Sequence, residues 1–126
     1  MPETGEKKVV LAVDDTPEAL QSISSILGND YDVRLAVDAA SAEAALSKID
    51  NVDLMLLDVE MPDVSGIKFL EKLQRNPSYK NIPVVFITAH KEDAVIKKAI
   101  KNGAKGYVTK PFSPDALLES VRFFCA

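Results

Sequence analysis

Three short, continuous runs of apolar residues constrain the fold more than any other feature of this 126-residue sequence. They lie at Val9–Val13, Leu54–Leu57 and Val84–Ile87, each bounded by polar or turn-forming residues. Runs of this kind are typical of strands that are buried on both faces of a parallel sheet. Two further strand candidates, Tyr31–Val37 and Gly106–Thr109, include polar residues, which favours positions at the sheet edges. The pattern therefore predicts three interior strands and two edge strands.

Helical segments follow each of these strands. Four of the helices are predicted to begin at a serine or threonine, which can cap the first turn through its side-chain oxygen. These residues are Thr16, Ser41, Ser65 and Ser113. Proline follows Thr16 and Ser113, and it suits the first position of a helix. The remaining helix, the fourth, is predicted from about Lys91 to Asn102, ending before Gly103, a residue type favoured at helix C-termini.

Strand and helix thus alternate five times, an order that predicts an α/β fold with right-handed crossovers. With the first, third and fourth strands interior, the expected strand order is 2-1-3-4-5. This is a flavodoxin-like, doubly wound, five-stranded parallel sheet with five helices, and its ligand site lies at the carboxyl ends of the strands. We see no linker or repeat, so we expect a single domain over residues 1–126 with its core at about residues 8–124.

Composition and charge argue against several classes of function. The net charge is −4, and an acidic chain without a basic stripe is a poor candidate for direct nucleic-acid binding. No apolar stretch reaches the roughly 20 residues needed to span a membrane. The polar start, Met1–Lys8, has no apolar signal region, and Cys125 is the sole cysteine. We therefore expect a cytoplasmic domain with no membrane contact.

Polar side chains stand at the carboxyl ends of four predicted strands. They are Asp14, Asp15, Asp58, Thr88 and Lys110. Because the ends of parallel strands meet at one edge of a sheet, we expect these side chains to converge. Three carboxylates repel one another unless a cation lies among them, and oxygen ligands favour Mg²⁺. A lysine adds positive charge and a threonine adds a hydrogen-bond donor.

The motifs around these residues resemble the receiver domain of two-component response regulators over about residues 8–124. The matching motifs are Val13-Asp14-Asp15, Asp58-Val59-Glu60-Met61-Pro62-Asp63-Val64-Ser65-Gly66, Thr88-Ala89, Gly103-Ala104 and Lys110-Pro111-Phe112. Each motif alone is common in turns, caps and loops. The joint pattern is specific because every motif agrees in order, spacing and position at a strand end.

The resemblance implies that Asp58 accepts a phosphoryl group from a histidine kinase or a histidine phosphotransfer protein. It implies that Asp15, Asp58 and the backbone carbonyl of Glu60 ligate Mg²⁺, for which Mn²⁺ can substitute, and that Asp14 acts through water. It also implies that Lys110 contacts the phosphoryl group. Such a domain catalyses only its own phosphorylation and dephosphorylation, so we expect no enzyme acting on an external substrate.

The resemblance further implies that Thr88 bonds to the phosphoryl group and that the Lys110–Pro111 peptide bond is cis. Tyr107 then turns inward, which changes the surface of the fourth helix, fifth strand and fifth helix and controls a partner protein or output domain. From the residues alone, Tyr107 is equally well explained as an edge-strand aromatic that never moves.

Several positions remain open to more than one interpretation. Glu60 and His90 occupy positions that tune the lifetime of the phosphorylated state in this family, although for His90 a solvated loop position is favoured. Gly106 stands where members that dimerise through the fifth strand often carry an acid, so we expect a monomer or weak dimer. Lys97, Lys98 and Lys101 are interpreted as a solvated basic face.

Three other classes of protein were weighed against the receiver. A haloacid-dehalogenase-like phosphatase needs a second aspartate two residues after the nucleophile, where this chain has Glu60. A flavodoxin-like cofactor-binding module needs a glycine-rich phosphate loop after the first strand, where this chain has Asp14-Asp15-Thr16-Pro17. A pseudo-receiver that binds partners without phosphorylation normally lacks one of the acidic residues or the lysine, and all are present.

Overall fold

The computed structural model describes residues 7–49, 51–89, 93–101 and 103–125 of the chain. Five strands and five helices alternate along these residues, as predicted. Their bounds are β1 (Val9–Val13), α1 (Pro17–Leu27), β2 (Asp32–Ala36), α2 (Ala39–Lys48), β3 (Leu54–Asp58), α3 (Gly66–Gln74), β4 (Val84–Thr88), α4 (Asp93–Lys101), β5 (Gly106–Thr109) and α5 (Pro114–Cys125). The proposed tuning residue His90 and both predicted ends of α4, Lys91 and Asn102, lie outside the described residues. None of the helices in this part of the chain is both long and apolar enough to cross a membrane.

The five strands form one parallel sheet in the order β2-β1-β3-β4-β5. This order confirms the predicted flavodoxin-like, doubly wound arrangement. Every residue of β3 and β4 is buried, whereas β2 and β5 include exposed residues. The difference follows from position, because an interior strand is covered by neighbours on both edges and by helices on both faces.

Two apolar clusters, one on each face of the sheet, form the core. Side chains alternate between the faces along each strand, so Val10 and Ala12 belong to one cluster and Leu11 and Val13 to the other. Helices α1 and α5 cover the first face, and α2 and α3 cover the second. Full burial of one large aliphatic or aromatic side chain contributes ~1.5–3 kcal/mol, so the two clusters hold the strand ends firmly in place.

The helix starts agree with the prediction in part. Ser65 and Ser113 accept backbone N–H hydrogen bonds in the first turns of α3 and α5, at 3.2 and 3.1 Å. Helix α2, however, begins at Ala39 and not at Ser41. Asp38 is its N-cap, and its carboxylate accepts from Ser41 N at 2.8 Å while the Ser41 hydroxyl accepts from Asp38 N. Serine therefore occupies the third helical position of a capping box.

Two glycines allow close approach of other groups. Gly66 N donates to the Val59 carbonyl at 2.7 Å, which closes the loop of residues 59–65 against the end of β3. A Cβ atom on Gly66 would overlap the Asp58 carbonyl oxygen, so a larger residue fits there only if the backbone shifts. At Gly106 a Cβ atom would instead lie 2.7 Å from the ring of Phe124 in α5, which occupies that space.

We predict that Gly66→Ala lowers the free energy of unfolding by about 1–3 kcal/mol, the usual cost of forcing an extra group into a packed site. The backbone of Asp58 cannot move away without disturbing the sheet. Gly106→Ala is the matched control and should cost less, because the tip of the Phe124 ring can turn aside. Urea denaturation measures both changes, and an equal or larger loss for Gly106→Ala would contradict this explanation.

Candidate functional site

The sheet brings the five predicted polar residues to one edge. Asp14, Asp58 and Thr88 are the buried polar residues among those that the structure describes. Asp15 is exposed, and the Lys110 side chain is 22% exposed. Lys110 N donates to the Thr88 carbonyl at 2.8 Å, so the backbone holds the ends of β4 and β5 side by side. The convergence follows from the parallel topology, as the sequence predicted.

The three aspartates form a compact cluster of negative charge. One carboxylate oxygen each of Asp14, Asp15 and Asp58 lies within 4.8 Å of the others. Two such charges at this separation repel by about 3–4 kcal/mol at an effective dielectric constant of 20. Lys110 Nζ lies 2.6 Å from Asp14 Oδ2 and 3.7 Å from Asp58 Oδ2. Lys110 therefore offsets only part of the repulsion.

Thr16 fixes the orientation of the Asp14 carboxylate. Asp14 Oδ1 accepts hydrogen bonds from Thr16 N at 2.8 Å and from the Thr16 hydroxyl at 2.7 Å. The sequence predicted Thr16 as an N-cap with a capping side chain, and this was wrong in part. Thr16 does occupy the N-cap position of α1, but its side chain makes no capping bond. The contact of Thr16 with Asp14 could have been predicted from the spacing, because an Asp side chain commonly accepts a hydrogen bond from the backbone N–H two residues later in the chain.

The second oxygen of Asp14 faces the site. Asp14 Oδ2 is buried and forms an ion pair with Lys110, but the geometry is outside that of a hydrogen bond, and the described residues supply no other partner. Lone pairs in this state suit a cation or its bound water. The exposed Asp15, the buried Asp58 and the Asp14 oxygen are all hard oxygen donors, which fit Mg²⁺ or a similar divalent ion.

Burial shifts the pKa of the Asp58 carboxyl group. Desolvation, followed by the charges of Asp14 and Asp15, raises the pKa of Asp58 from 3.8 to about 6. The Glu60 N–H, which donates to Asp58 Oδ1 at 3.1 Å, and the Lys110 ammonium oppose this rise. Asp58 is thus mainly ionised at neutral pH, and a bound cation would favour that form further.

Burial by itself would lower the pKa of Lys110. The ion pair with Asp14 and the charges of Asp58 and Asp15 outweigh burial, so the pKa is raised. Lys110 therefore keeps its positive charge at neutral pH.

The other predicted residues lie around this cluster. The Lys110–Pro111 peptide bond is cis. Glu60 is exposed, and its peptide is held beside Asp58 by the N–H bond described above. Tyr107 lies away from the cluster on the edge strand β5, 45% exposed, and the structure does not bring it into the site.

The chain belongs to the response-regulator receiver domain family, because the family model described as "Response regulator receiver domain" matches residues 10–122. It is 34% identical to hybrid signal transduction histidine kinase D of Dictyostelium discoideum, over 91% of this chain and 7% of that protein. It is 30% identical to the nitrate/nitrite response regulator protein NarL of Escherichia coli K12, over 92% of this chain and 54% of that protein. The chain thus spans about half or less of the length of these curated relatives.

Solved structures agree with this assignment. Chemotaxis response regulator CheY4 of Vibrio cholerae superimposes with a TM-score of 0.87 at 30% identity, covering 94% of this chain and 98% of that one. The Mn(2+)-bound form of response regulator Rcp1 superimposes with a TM-score of 0.77 at 25% identity, covering 92% and 90%. Receiver domains bind Mg²⁺ in an acidic pocket, which in this chain is the cluster of Asp14, Asp15 and Asp58.

We predict that Asp58→Asn raises the free energy of unfolding by about 1–3 kcal/mol at pH 8 without metal, at 1.36 kcal/mol per pKa unit. The folded pKa lies above the unfolded value, so the wild-type protein gains stability as the pH falls through 6 and loses it as the pH rises. The gain from Asp58→Asn should therefore shrink by pH 4.5. Urea denaturation at both pH values measures it.

The matched control is Asp32→Asn. The hydrogen bond from Arg34 is the main cause that lowers the pKa of Asp32, so this carboxyl stabilises the fold at pH 8 and its removal should have the opposite sign. A gain for Asp58→Asn that is the same at both pH values would contradict the electrostatic explanation.

We also predict that Thr16→Val weakens Mg²⁺ binding by about tenfold, at the lower end of the effects of residues that orient metal-site ligands. Valine keeps the shape of threonine but cannot donate to Asp14 Oδ1. Thr16→Ser keeps the donor and should bind nearly as the wild type does. Isothermal titration calorimetry gives the dissociation constants, and equal values for the valine and serine variants would refute this role.

Proposed function

We propose that this chain is a phosphoacceptor receiver domain. Asp58 takes a phosphoryl group from a histidine kinase or a histidine phosphotransfer protein, and the modified domain controls a partner protein or an output domain. The observation that carries the proposal is the setting of Asp58. Its carboxylate is buried, held by the Glu60 N–H, surrounded by two further aspartates and placed 3.7 Å from the Lys110 ammonium.

The proposed reaction is a displacement at phosphorus. A carboxylate oxygen of Asp58 forms the new P–O bond while the P–N bond of the phosphohistidine breaks, and the imidazole leaves with the electron pair. The Lys110 ammonium stabilises the negative charge on the transferring oxygens. Asp15, Asp58 and the Glu60 carbonyl would hold Mg²⁺, with Asp14 acting through water, and the ion supplies charge neutralisation among the carboxylates and phosphoryl oxygens.

The product is an acyl phosphate, which water can hydrolyse. The domain therefore modifies and restores its own Asp58, and apart from the phosphodonor it acts on no external substrate. Glu60 lies exposed beside the acceptor, which supports a role in tuning this hydrolysis. His90 is proposed for the same role on the family resemblance alone.

The proposed response is a shift of population between two surfaces. Thr88 is buried at the end of β4 beside the acidic cluster, and the family resemblance assigns its hydroxyl a hydrogen bond to a phosphoryl oxygen. Tyr107 is 45% exposed in the present conformation, and an inward turn would change the surface of α4, β5 and α5. The packing of Phe124 against Gly106, where dimerising members often carry an acid, supports a monomer or weak dimer.

The test measures covalent modification of the protein. We expect the protein, incubated with Mg²⁺ and acetyl phosphate, to gain one phosphoryl group by intact mass, and to gain none when a chelator replaces the metal. Asp58→Ala should stay unmodified, whereas Asp53→Ala, which removes an aspartate that bonds the start of β1, should be modified normally. An unmodified wild-type protein under all donors would instead favour a pseudo-receiver that only binds partners.

A further inference from the structure

A carboxylate from outside α2 completes the N-terminus of that helix. Asp63, in the loop between β3 and α3, accepts from Ala39 N through Oδ1 at 3.2 Å and from Ala40 N through Oδ2 at 3.1 Å. The same Oδ1 accepts from Val64 N at 2.8 Å. One side chain therefore joins the middle of the loop to a helix that lies more than twenty residues earlier in the chain.

Helix α2 needs such a partner. The first N–H groups of any helix lack an acceptor within the helix, and its N-terminus favours negative charge. The first turn of α2 itself contains no acidic residue, and among the described N–H groups of this turn the carboxylate of the N-cap Asp38 accepts only from Ser41 N. Asp63 supplies the acceptors for the first two N–H groups and adds a second negative charge to that of Asp38.

Asp63 also lies in the loop that carries part of the site. This loop leaves β3 at Asp58, and its two ends are fixed by hydrogen bonds from Glu60 N to Asp58 Oδ1 and from Gly66 N to the Val59 carbonyl. The bonds from Asp63 to α2 attach its middle to a rigid element. Hydrogen bonds thus fix this loop at both ends and in its middle.

The charge of Asp63 suits this attachment. Partial desolvation would raise the pKa of Asp63, but the N–H groups of Ala39, Ala40 and Val64 outweigh it and lower the pKa. The carboxylate is therefore ionised across the neutral range, and its hydrogen bonds to the three N–H groups are charge-assisted.

We propose that Asp63 is a positioning residue of the phosphoacceptor site, which fastens the β3–α3 loop to α2 and thereby holds the Glu60 carbonyl in place to ligate the metal. This inference rests on the proposed function, because it takes the Glu60 carbonyl as a ligand. A residue that only stabilised α2 would affect unfolding but not metal binding, and the two roles can be separated.

The experiment compares Asp63→Ala and Asp63→Asn with Glu43→Gln. Asn keeps one acceptor oxygen and loses the charge, whereas Ala loses both acceptors. Glu43→Gln makes the same charge change and breaks another link of α2, the ion pair to Lys72 of α3 at 2.9 Å, away from the loop. Isothermal titration calorimetry gives the Mg²⁺ dissociation constants, and amide hydrogen exchange of Ala39 and Ala40 without metal reports the helix cap.

We expect Asp63→Ala to weaken Mg²⁺ binding by about tenfold, at the lower end of the range for residues that orient metal ligands. Asp63→Asn should lie between Asp63→Ala and the wild type, and Glu43→Gln should change binding less than twofold. Exchange at Ala39 and Ala40 should speed up in both Asp63 variants.

Faster exchange in Asp63→Ala with unchanged Mg²⁺ affinity would overturn the proposal and leave Asp63 as a helix cap only. An equal loss of affinity in Glu43→Gln would also overturn it, because charge or general loosening of α2 would then explain the effect. If the wild-type protein binds no Mg²⁺, the proposed metal site is wrong and so is the role of Asp63. The titration of the wild-type protein alone distinguishes this outcome from a failure of the Asp63 proposal.

Discussion

The repulsion among three carboxylates at one edge of the sheet is the constraint on which the rest of the site depends. The fold forces Asp14 and Asp58 into buried positions, because they end strands that are covered on both faces. Lys110 reaches the cluster from β5, and Thr16 holds one Asp14 oxygen so that the other faces Lys110. The carboxylates destabilise this edge of the sheet, and they form the acidic pocket in which receiver domains bind Mg²⁺.

The sequence predicts the sheet well because its signals are local and repeated. Continuous apolar runs identify β3 and β4 as interior strands, and polar interruptions identify β2 as an edge strand. The site residues follow from the same reasoning, since a polar residue that directly ends a parallel strand must lie at the shared edge. The prediction of Asp14, Asp58 and Thr88 at that edge therefore required no knowledge of side-chain packing.

Sequence reasoning missed several hydrogen-bond partners. Each of these depends on which of several possible acceptors lies nearest to the donor in the folded chain. Asp38 and Ser41 are both good N-cap residues, and only the capping box decides between them. Thr16 could bond its own helix or Asp14, and the buried carboxylate proves the better partner. The hydrogen bonds of Asp63 join the β3–α3 loop to α2, which is distant in the sequence, so no local sequence pattern predicts them.

The ring of Phe124 occupies the space that a side chain at Gly106 would need. The residue at one of these positions therefore limits the size of the residue at the other. A descendant of this chain can enlarge residue 106 only where the ring at residue 124 turns aside, becomes smaller or moves outward with its helix. Among close relatives the two positions should therefore vary together, as contacting positions do. Such a correlation would reflect a steric contact at the edge of the sheet and would not depend on the charge of the acidic cluster.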